Sequence, residues 1–266
     1  MSGNAKLSAV DVKISYTTKD RKTAKTTTAV NGISLDIAEG EFICIVGPSG
    51  CGKTTFMTAI TGMLPLSGGH FELNGSKIVG PGKDRATVFQ AAQLLPWRTI
   101  VSNVGYGLEV LGWPKAKRVA RSKELLDLVG LADFAEHYPH QLSGGMKQRA
   151  NLARALAVDS EVLLMDEPFA ALDAQTREFM QGELQRIWAH SRKTTIFVTH
   201  SISEAVFLAD RVVVFSRRPA KIREIVTVDL PRPRDLSIKH SEEFQVLESK
   251  IWELIDNSEY QTPAAV

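Results

Sequence analysis

The stretch Gly47-Pro-Ser-Gly-Cys-Gly-Lys-Thr54 decides the fold of this protein. It fits the pattern G-x-x-x-x-G-K-[ST] at every fixed position, and it follows the apolar run from Phe42 to Val46. Its glycines allow the backbone to curl so that successive N–H groups point at phosphate oxygens, and a helix that begins near Lys53 adds its positive end. The stretch therefore predicts a strand, a phosphate-binding loop and a helix, and with them a nucleoside triphosphate site.

Two side chains of this loop have predicted roles. Lys53 would reach the β- and γ-phosphates, and Thr54 would offer its hydroxyl to Mg²⁺. A chance match in a glycine-rich loop is the alternative, but a helix pattern from Thr55 to Ile60 and a capping Gly62 argue against it. The predicted nucleotide contacts from this stretch are Gly47, Pro48, Ser49, Gly50, Cys51, Gly52, Lys53, Thr54 and Thr55.

Length and composition limit the possible functions. The 266 residues, 44% of them hydrophobic, suffice for a full α/β core but not for two large domains, so we expect one compact unit. The net charge is +2 with both signs mixed along the chain, which predicts no nucleic-acid partner. No apolar run approaches the roughly 18 residues that cross a bilayer, so we expect a cytoplasmic protein. Cys44 and Cys51 lack metal spacing and are expected to be reduced thiols.

The apolar pattern on both sides of the loop predicts an antiparallel β layer. Apolar residues alternate at 10–16 and at 33–37, and Asn74-Gly75 is a strong hairpin signal. The segment 17–28 is rich in Thr and Lys with almost nothing apolar, so it is predicted to be a mobile loop.

The rest of the chain alternates strand and helix patterns. A short strand at 86–89 ends in Gln90, and helical spacing from 101 to 129 predicts an inserted helical subdomain. The apolar strand at 162–165 ends in Asp166-Glu167, where open α/β sheets hold ligands. The fold class is therefore α/β, a P-loop NTPase core with a mostly parallel sheet, an antiparallel β layer and an α-helical subdomain.

Three features stand together in this sequence: the phosphate loop, the strand ending in Asp166-Glu167, and Leu142-Ser-Gly-Gly about twenty residues before that strand. This combination resembles the ATP-binding subunit of ATP-binding cassette (ABC) transporters over most of the chain, from Tyr16 to about Arg223. Six finer motifs look like the importers for nitrate, sulfonates and taurine: Val88-Phe-Gln90, Leu94-Leu-Pro-Trp97, Tyr138-Pro-His-Gln-Leu-Ser-Gly-Gly145, Thr176-Arg177, Glu204-Ala-Val-Phe-Leu-Ala-Asp210 and Leu230-Pro-Arg-Pro-Arg234.

The resemblance implies a domain at 7–235, with the helical subdomain inserted at about 91–157. A C-terminal helix at 236–257 and a disordered tail at 258–266 complete the predicted organisation.

The resemblance also implies roles for individual residues, with ATP and Mg²⁺ as cofactors. Tyr16 would stack on adenine, although its alternation with Ile14 fits an ordinary strand residue equally well. Asp166, Thr54 and Gln90 would hold Mg²⁺. Glu167 would polarise the attacking water, His200 would hold the γ-phosphate and that water in line, and Lys53 is the third predicted catalytic residue. A lone histidine is otherwise more often structural.

In the family, hydrolysis needs two chains clasped head to tail. Ser143, Gly144 and Gly145 would close over the ATP held by the second copy, and Asp173 would couple the two sites. The further implied partners are an integral membrane permease and, indirectly, a solute-binding protein, with the chain peripheral at the cytoplasmic face of the inner membrane. Trp97 is the expected permease contact, whereas Leu95 is as well explained by internal packing. The transported solute is not encoded in these motifs.

Some positions depart from the family pattern. Ser201 follows His200 where aspartate is common, Ala91 follows Gln90 where an acidic residue is frequent, and Ala170 replaces a common glycine or serine. None of these changes removes a ligand or a base. A soluble ABC ATPase of cofactor assembly and a nucleotide-dependent binding switch are the alternative functions, and an intact Glu167 favours hydrolysis over the switch.

Overall fold

The computed structural model describes residues 5–19 and 24–256, so the predicted disordered tail at 258–266 lies outside the described residues. Among these residues, no helix combines the length and the apolar character that crossing a membrane requires. In chain order the strands and α-helices are β1 (Ala5–Lys19), β2 (Ala24–Ala38), β3 (Phe42–Val46), α1 (Lys53–Ile60), β4 (Gly68–Leu73), β5 (Ser76–Lys77), β6 (Arg85–Val88), α2 (Ile100–Val104), α3 (Tyr106–Val110), α4 (Lys115–Leu128), α5 (Gly144–Ala157), β7 (Val162–Asp166), α6 (Ala174–Ser191), β8 (Thr194–Val198), α7 (Ile202–Leu208), β9 (Arg211–Phe215), β10 (Ile222–Thr227) and α8 (Glu242–Asp256).

The chain divides into two compact units, where length and composition led us to expect one. Unit 1 is formed by Met1–Gly82 and Arg192–Val266, and unit 2 by Lys83–Ser191. Each unit has strands and helices of its own.

Unit 1 contains the predicted antiparallel layer, with strand order β2-β1-β4-β5. The hairpin between β4 and β5 turns at Asn74-Gly75, which adopt φ values of +51° and +73°, as a tight turn of this kind requires.

The predicted mobile loop at 17–28 is wrong for residues 17–19 and 24–28, whereas residues 20–23 lie outside the described residues. β1 continues to Lys19 and β2 begins at Ala24, and Thr17 pairs with Thr26 in the antiparallel register. Their hydroxyls lie 3.2 Å apart across the strands. The expectation relied on the lack of apolar residues, but β-branched threonines favour the extended backbone and can pair through their hydroxyls without a buried face.

Unit 1 also contains parallel strands around β3. β3 pairs in parallel with β8 on one side and β9 on the other, and β10 adds an antiparallel edge next to β9. All five residues of β3 are buried, as expected for a strand covered on both faces. Phe56 of α1 packs edge-on against Phe71 and Phe215, with ring centroids 5.4 and 5.5 Å apart. Because Phe71 lies on β4 of the antiparallel layer and Phe215 on β9, these contacts fix α1, and with it the end of the phosphate loop, between the two sheets of unit 1.

The Leu230-Pro-Arg-Pro-Arg234 segment holds the C-terminal end of α7 in unit 1. Arg234 is buried and its Nη1 donates to the carbonyls of Val206, Phe207 and Ala209, the last at 2.7 Å. Burial lowers the pKa of this guanidinium to about 10. The orphan carbonyls at the end of a helix are good acceptors for a cation, so Arg234 serves as a C-terminal cap for α7. A 3₁₀ turn over Leu236–His240 then leads to α8, in the region of the predicted C-terminal helix.

Unit 2 contains the predicted helical segment and two strands. β6 and β7 pair in parallel, with Arg85 opposite Val162 and Val88 opposite Met165. The helices α2 to α5 lie between these strands in the chain, and α6 follows β7. Pro114 is the N-cap residue of α4. Gln90 and Asp166 are thus brought to the carboxyl ends of two paired strands.

Candidate nucleotide-binding site

The phosphate loop lies between β3 and α1 in unit 1, as the sequence predicts. Its three glycines have φ values of +155° at Gly47, +70° at Gly50 and +123° at Gly52, a region that side chains rarely allow. A Cβ at Gly47 would lie 2.8 Å from the carbonyl oxygen of Phe215. The loop therefore needs glycine for close backbone approach as well as for its curvature.

Lys53 is folded into the loop. Its side chain starts at the first residue of α1, is only 6% exposed, and donates to the carbonyl oxygens of Gly47 at 2.7 Å and Pro48 at 3.1 Å. Arg218 supports the loop from outside by donating to the carbonyl of Gly50 at 2.9 Å. Burial raises the pKa of the neighbouring Cys51 thiol, which keeps it protonated near neutral pH. An ammonium at the mouth of this loop is suited to meet phosphate oxygens.

His200 lies at the same edge of the unit 1 sheet as the phosphate loop. β8 runs parallel to β3 with Val198 opposite Ile45, so both strands deliver their next residues to one edge. The backbone N–H of Thr199 donates to the carbonyl of Ile45 at 3.2 Å, which continues that register. The side chain of His200 is exposed there, whereas Thr199 is buried.

A buried carboxylate organises the residues on both sides of His200. The Thr199 hydroxyl donates to Glu204 Oε2 at 2.6 Å and accepts from the backbone N–H of Ser201 at 3.0 Å. The Ser201 hydroxyl in turn accepts from the backbone N–H of Glu204 at 3.3 Å and caps α7. Serine thus performs the capping that an aspartate would perform at this position.

Tyr16 also lies in unit 1, on β1. It is 44% exposed, and its register partner is Thr27 on β2. The strand pairing fits both meanings of Tyr16 that the sequence leaves open, a stacking platform and an ordinary strand residue.

In unit 2, Gln90 and Glu167 are in contact. Gln90 Nε2 donates to Glu167 Oε2 at 3.2 Å. Asp166, the last residue of β7, is 3% exposed, and Glu167 follows it with a φ of +46°. A non-glycine residue with this φ is uncommon and costs on the order of 1 kcal/mol or more, which is often retained where a side chain must be aimed. The left-handed turn directs Glu167 away from the strand path and towards Gln90.

Ser143 caps α5 through its hydroxyl, which accepts from the backbone N–H of Met146 at 3.3 Å. Gly144 and Gly145 form the first turn of that helix, so the predicted Ser-Gly-Gly segment lies at a helix N-terminus. Asp173 caps the next helix by accepting from the N–H of Thr176 at 2.9 Å, and this contact lowers the pKa of its carboxyl.

The family model described as ABC transporter matches residues 30–170, more than half of the chain. The chain belongs to the ABC transporter family. The taurine import ATP-binding protein TauB of Rhizobium johnstonii is 45% identical, covering 91% of this chain and 94% of that protein. The nitrate import ATP-binding protein NrtD of Synechocystis sp. is 42% identical over 90% of this chain and 92% of that protein.

A solved dimeric ABC cassette, MJ0796 in a post-hydrolysis state bound to ADP and Pi, is also similar. It matches with a TM-score of 0.76 and 29% identity, covering 85% of this chain and all of that chain. The predicted α/β P-loop fold, the ATPase assignment and the likeness to the nitrate and taurine branch of the ABC family are therefore confirmed.

The structure adds residues that the motifs did not indicate. Glu204 belongs to a motif that indicated the importer branch, but that motif did not predict its buried hydrogen bond to Thr199. The only signal for this bond was an acidic residue within an apolar helix pattern. Arg218 carried no signal, because its partner is a main-chain carbonyl. Three polar residues of α5 bond to the segment around Gln90 and were also missed: Gln148, Asn151 and Arg154. The sequence of their helix has the pattern of an ordinary amphipathic helix.

Replacement of Gly47 tests the loop geometry. We expect Gly47→Ala to lower the free energy of unfolding by roughly 1–3 kcal/mol, since the new Cβ would meet the Phe215 carbonyl and the φ is strained. Gly144→Ala is the matched control, because a Cβ there meets no atom within 4 Å, and it should change stability by less than about 1 kcal/mol. Urea denaturation of both variants measures the difference. Equal stabilities would contradict the close approach of Gly47 to β9.

Proposed function

We propose that this ABC ATPase drives solute uptake through a separate membrane permease, as the motor subunit of a nitrate-, sulfonate- or taurine-type importer. The observation that carries the hydrolytic part is the contact between Gln90 and Glu167 at the end of β7, directly beside the buried Asp166. The names of the two import relatives support the uptake direction.

Lys53 and the phosphate loop bind the triphosphate of ATP. The Lys53 ammonium now bonds two neutral carbonyls, and phosphate oxygens are stronger acceptors because they are charged. The helix N-terminus that follows favours the same negative charge. Tyr16 offers an exposed aromatic face for adenine. Binding of ATP thus uses groups that are already in place in unit 1.

Thr54, Gln90 and Asp166 are proposed to hold Mg²⁺, which neutralises charge on the β- and γ-phosphates when bound. The donor set fits this ion, since a hydroxyl, an amide oxygen and a carboxylate are the hard oxygen ligands that Mg²⁺ prefers. Asp166 supports the fit because its carboxylate is buried at a strand end.

Glu167 is the proposed general base that polarises the attacking water. Gln90 steadies its carboxylate through the 3.2 Å bond, so the base is oriented before a water arrives. His200 is proposed to hold the γ-phosphate, and the Thr199 and Glu204 network keeps its backbone in place. These groups supply orientation and charge, which is most of what phosphoryl transfer requires from a protein.

A second copy of the chain is proposed to complete each site. The cap geometry of Ser143 leaves a hydroxyl and glycine N–H groups at a helix start, where a phosphate is favoured. Gly144 and Gly145 allow close approach to a nucleotide held by the other copy, and Asp173 is proposed to couple the two sites. The dimeric state of the similar solved cassette supports this arrangement.

A hydrophobic surface of unit 2 is proposed to receive a cytoplasmic helix of the permease. Trp97 is 71% exposed, and Tyr106, Val110, Leu111 and Trp113, close to it in the chain, also expose large apolar side chains. Exposed apolar groups of this size commonly mark interaction sites. Through this permease the subunit would lie at the cytoplasmic face of the inner membrane and serve a solute-binding protein indirectly.

Lys53→Ala tests ATP binding. We expect the affinity for a fluorescent ATP analogue to fall at least about tenfold, because a charge-assisted contact to the phosphates contributes roughly 1.5–3 kcal/mol. Fluorescence titration measures this, and a melting curve checks that the variant is folded. Binding equal to that of the wild type would remove Lys53 from the site.

Glu167→Gln tests the general base. The variant should bind Mg-ATP but turn it over at least about a hundredfold more slowly, so that an ATP-bound dimer accumulates. Phosphate release and size-exclusion chromatography measure the two effects. Near-normal turnover would contradict the role of Glu167, and a monomer with bound ATP would contradict the clasped dimer.

Trp97→Ala tests the permease contact. We expect it to retain most ATP binding and basal hydrolysis, but to lose stimulation by its permease and co-purification with it. Trp252→Ala is the matched control, since Trp252 is 62% exposed on α8 of unit 1 and should keep both properties. Full coupling of the Trp97 variant would refute docking at this surface.

A further inference from the structure

Three side chains of α5 hold the main chain on both sides of Gln90. Gln148 Nε2 and Asn151 Nδ2 both donate to the carbonyl oxygen of Phe89, each at 3.3 Å. Arg154 Nη1 donates to the carbonyl of Gln93 at 2.5 Å. The segment that carries Gln90 is therefore bonded to one helix at both of its ends.

Two of these side chains, Asn151 and Arg154, also bond each other. Arg154 Nη2 donates to Asn151 Oδ1 at 2.7 Å, which orients the amide towards Phe89. Gln148 and Asn151 are 4% and 1% exposed, so neither can exchange its carbonyl partner for bulk water without moving. Buried donors that lose their acceptor are costly, so displacement of α5 favours displacement of the Gln90 segment with it.

The three residues connect the N-terminal end of α5 to the segment that carries Gln90. Ser143, Gly144 and Gly145 form its N-terminal end, and Gln148, Asn151 and Arg154 follow on later turns. A helix is stiff over this length, so a push at its first turn is transmitted to the later ones. In the segment that these residues hold, Gln90 bonds Glu167, and Trp97 lies four residues after Gln93.

We propose that Gln148, Asn151 and Arg154 form a brace, defined by these three residues, that makes the Gln90 segment move together with α5. The brace would convert nucleotide contact at the Ser-Gly-Gly end of α5 into a shift of Gln90 at Glu167 and of Trp97 at the permease surface. This inference rests on the proposed function, because the nucleotide and permease contacts at the two ends belong to it. The three residues are positioning residues and contact no nucleotide themselves.

Arg149 provides a matched control on the same helix. It is also a partly buried arginine whose Nη1 donates to main-chain carbonyls, but these belong to Val129 at 3.0 Å and Gly130 at 3.4 Å. Burial lowers the pKa of both guanidinium groups, and Arg149 also lies near the Asp173 carboxylate. They differ in which segment they hold, and only Arg154 holds the Gln90 segment.

Hydrogen–deuterium exchange on the full chain tests the brace, with Mg²⁺ and the non-hydrolysable analogue adenylyl imidodiphosphate as the probe. In the wild type we expect the analogue to slow exchange severalfold in peptides covering 47–55 and 89–98. Arg154→Met should retain the protection of 47–55 but lose most of that of 89–98. Arg149→Met should behave as the wild type, and Arg154→Lys, which keeps a donor for Gln93, should recover part of the protection.

Melting curves show whether each variant is folded, and Gln148→Leu replaces Arg154→Met as the test if the latter does not fold. Wild-type protection of 89–98 in Arg154→Met or its substitute would overturn the brace, as would equal loss of that protection in Arg149→Met. Absence of protection at 47–55 in the wild type would contradict the proposed nucleotide site instead. Failure of the brace and failure of the proposed function therefore give different results.

Discussion

The structure of unit 1 depends on the burial of β3. This strand is bonded in parallel on both sides and covered on both faces, so its direction, register and end point are all determined. Because β8 runs in the same direction, the residues after both strands emerge at one edge, which places the phosphate loop and His200 together. Phe56 then anchors α1 between Phe71 and Phe215. The positions of the phosphate loop and His200 are well defined because β3 is buried and its register with β8 and β9 is fixed.

Cationic side chains bond to main-chain carbonyls at several places in the structure. Lys53 and Arg218 hold the phosphate loop in this way, Arg234 caps α7, and Arg154 holds the segment after Gln90. Carbonyl groups of turns and helix ends lack partners of their own, and hydrogen bonds from charged donors contribute about 1.5–3 kcal/mol. These bonds fix the main chain of the loops, so the side chains of the loops remain available for other contacts. For Lys53 the arrangement also keeps an ammonium ready for stronger acceptors.

The two proposed catalytic side chains are aimed by different devices. Glu167 depends on a left-handed backbone and on Gln90, whereas His200 depends on the buried bond between Thr199 and Glu204. The Ser201 cap explains how the chain accommodates the missing aspartate after His200: the hydroxyl supplies the hydrogen bond to the helix start. In both cases hydrogen bonds hold the neighbouring groups, which lowers the conformational entropy that the side chain loses on reaching its position.

The sequence by itself determined the phosphate loop, the strand ending in Asp166-Glu167, the antiparallel layer and the family, because glycine spacing, apolar runs and turn residues are local signals. It misjudged residues 17–19 and 24–28, where β-branched threonines pair across strands instead of packing an apolar face. Only the tertiary structure decided the partners of Lys53, the bond between Gln90 and Glu167, and the grip of Arg154 on Gln93. The reason is physical: a main-chain carbonyl is the same acceptor in every residue, so a bond to it from a distant side chain leaves no mark in the sequence.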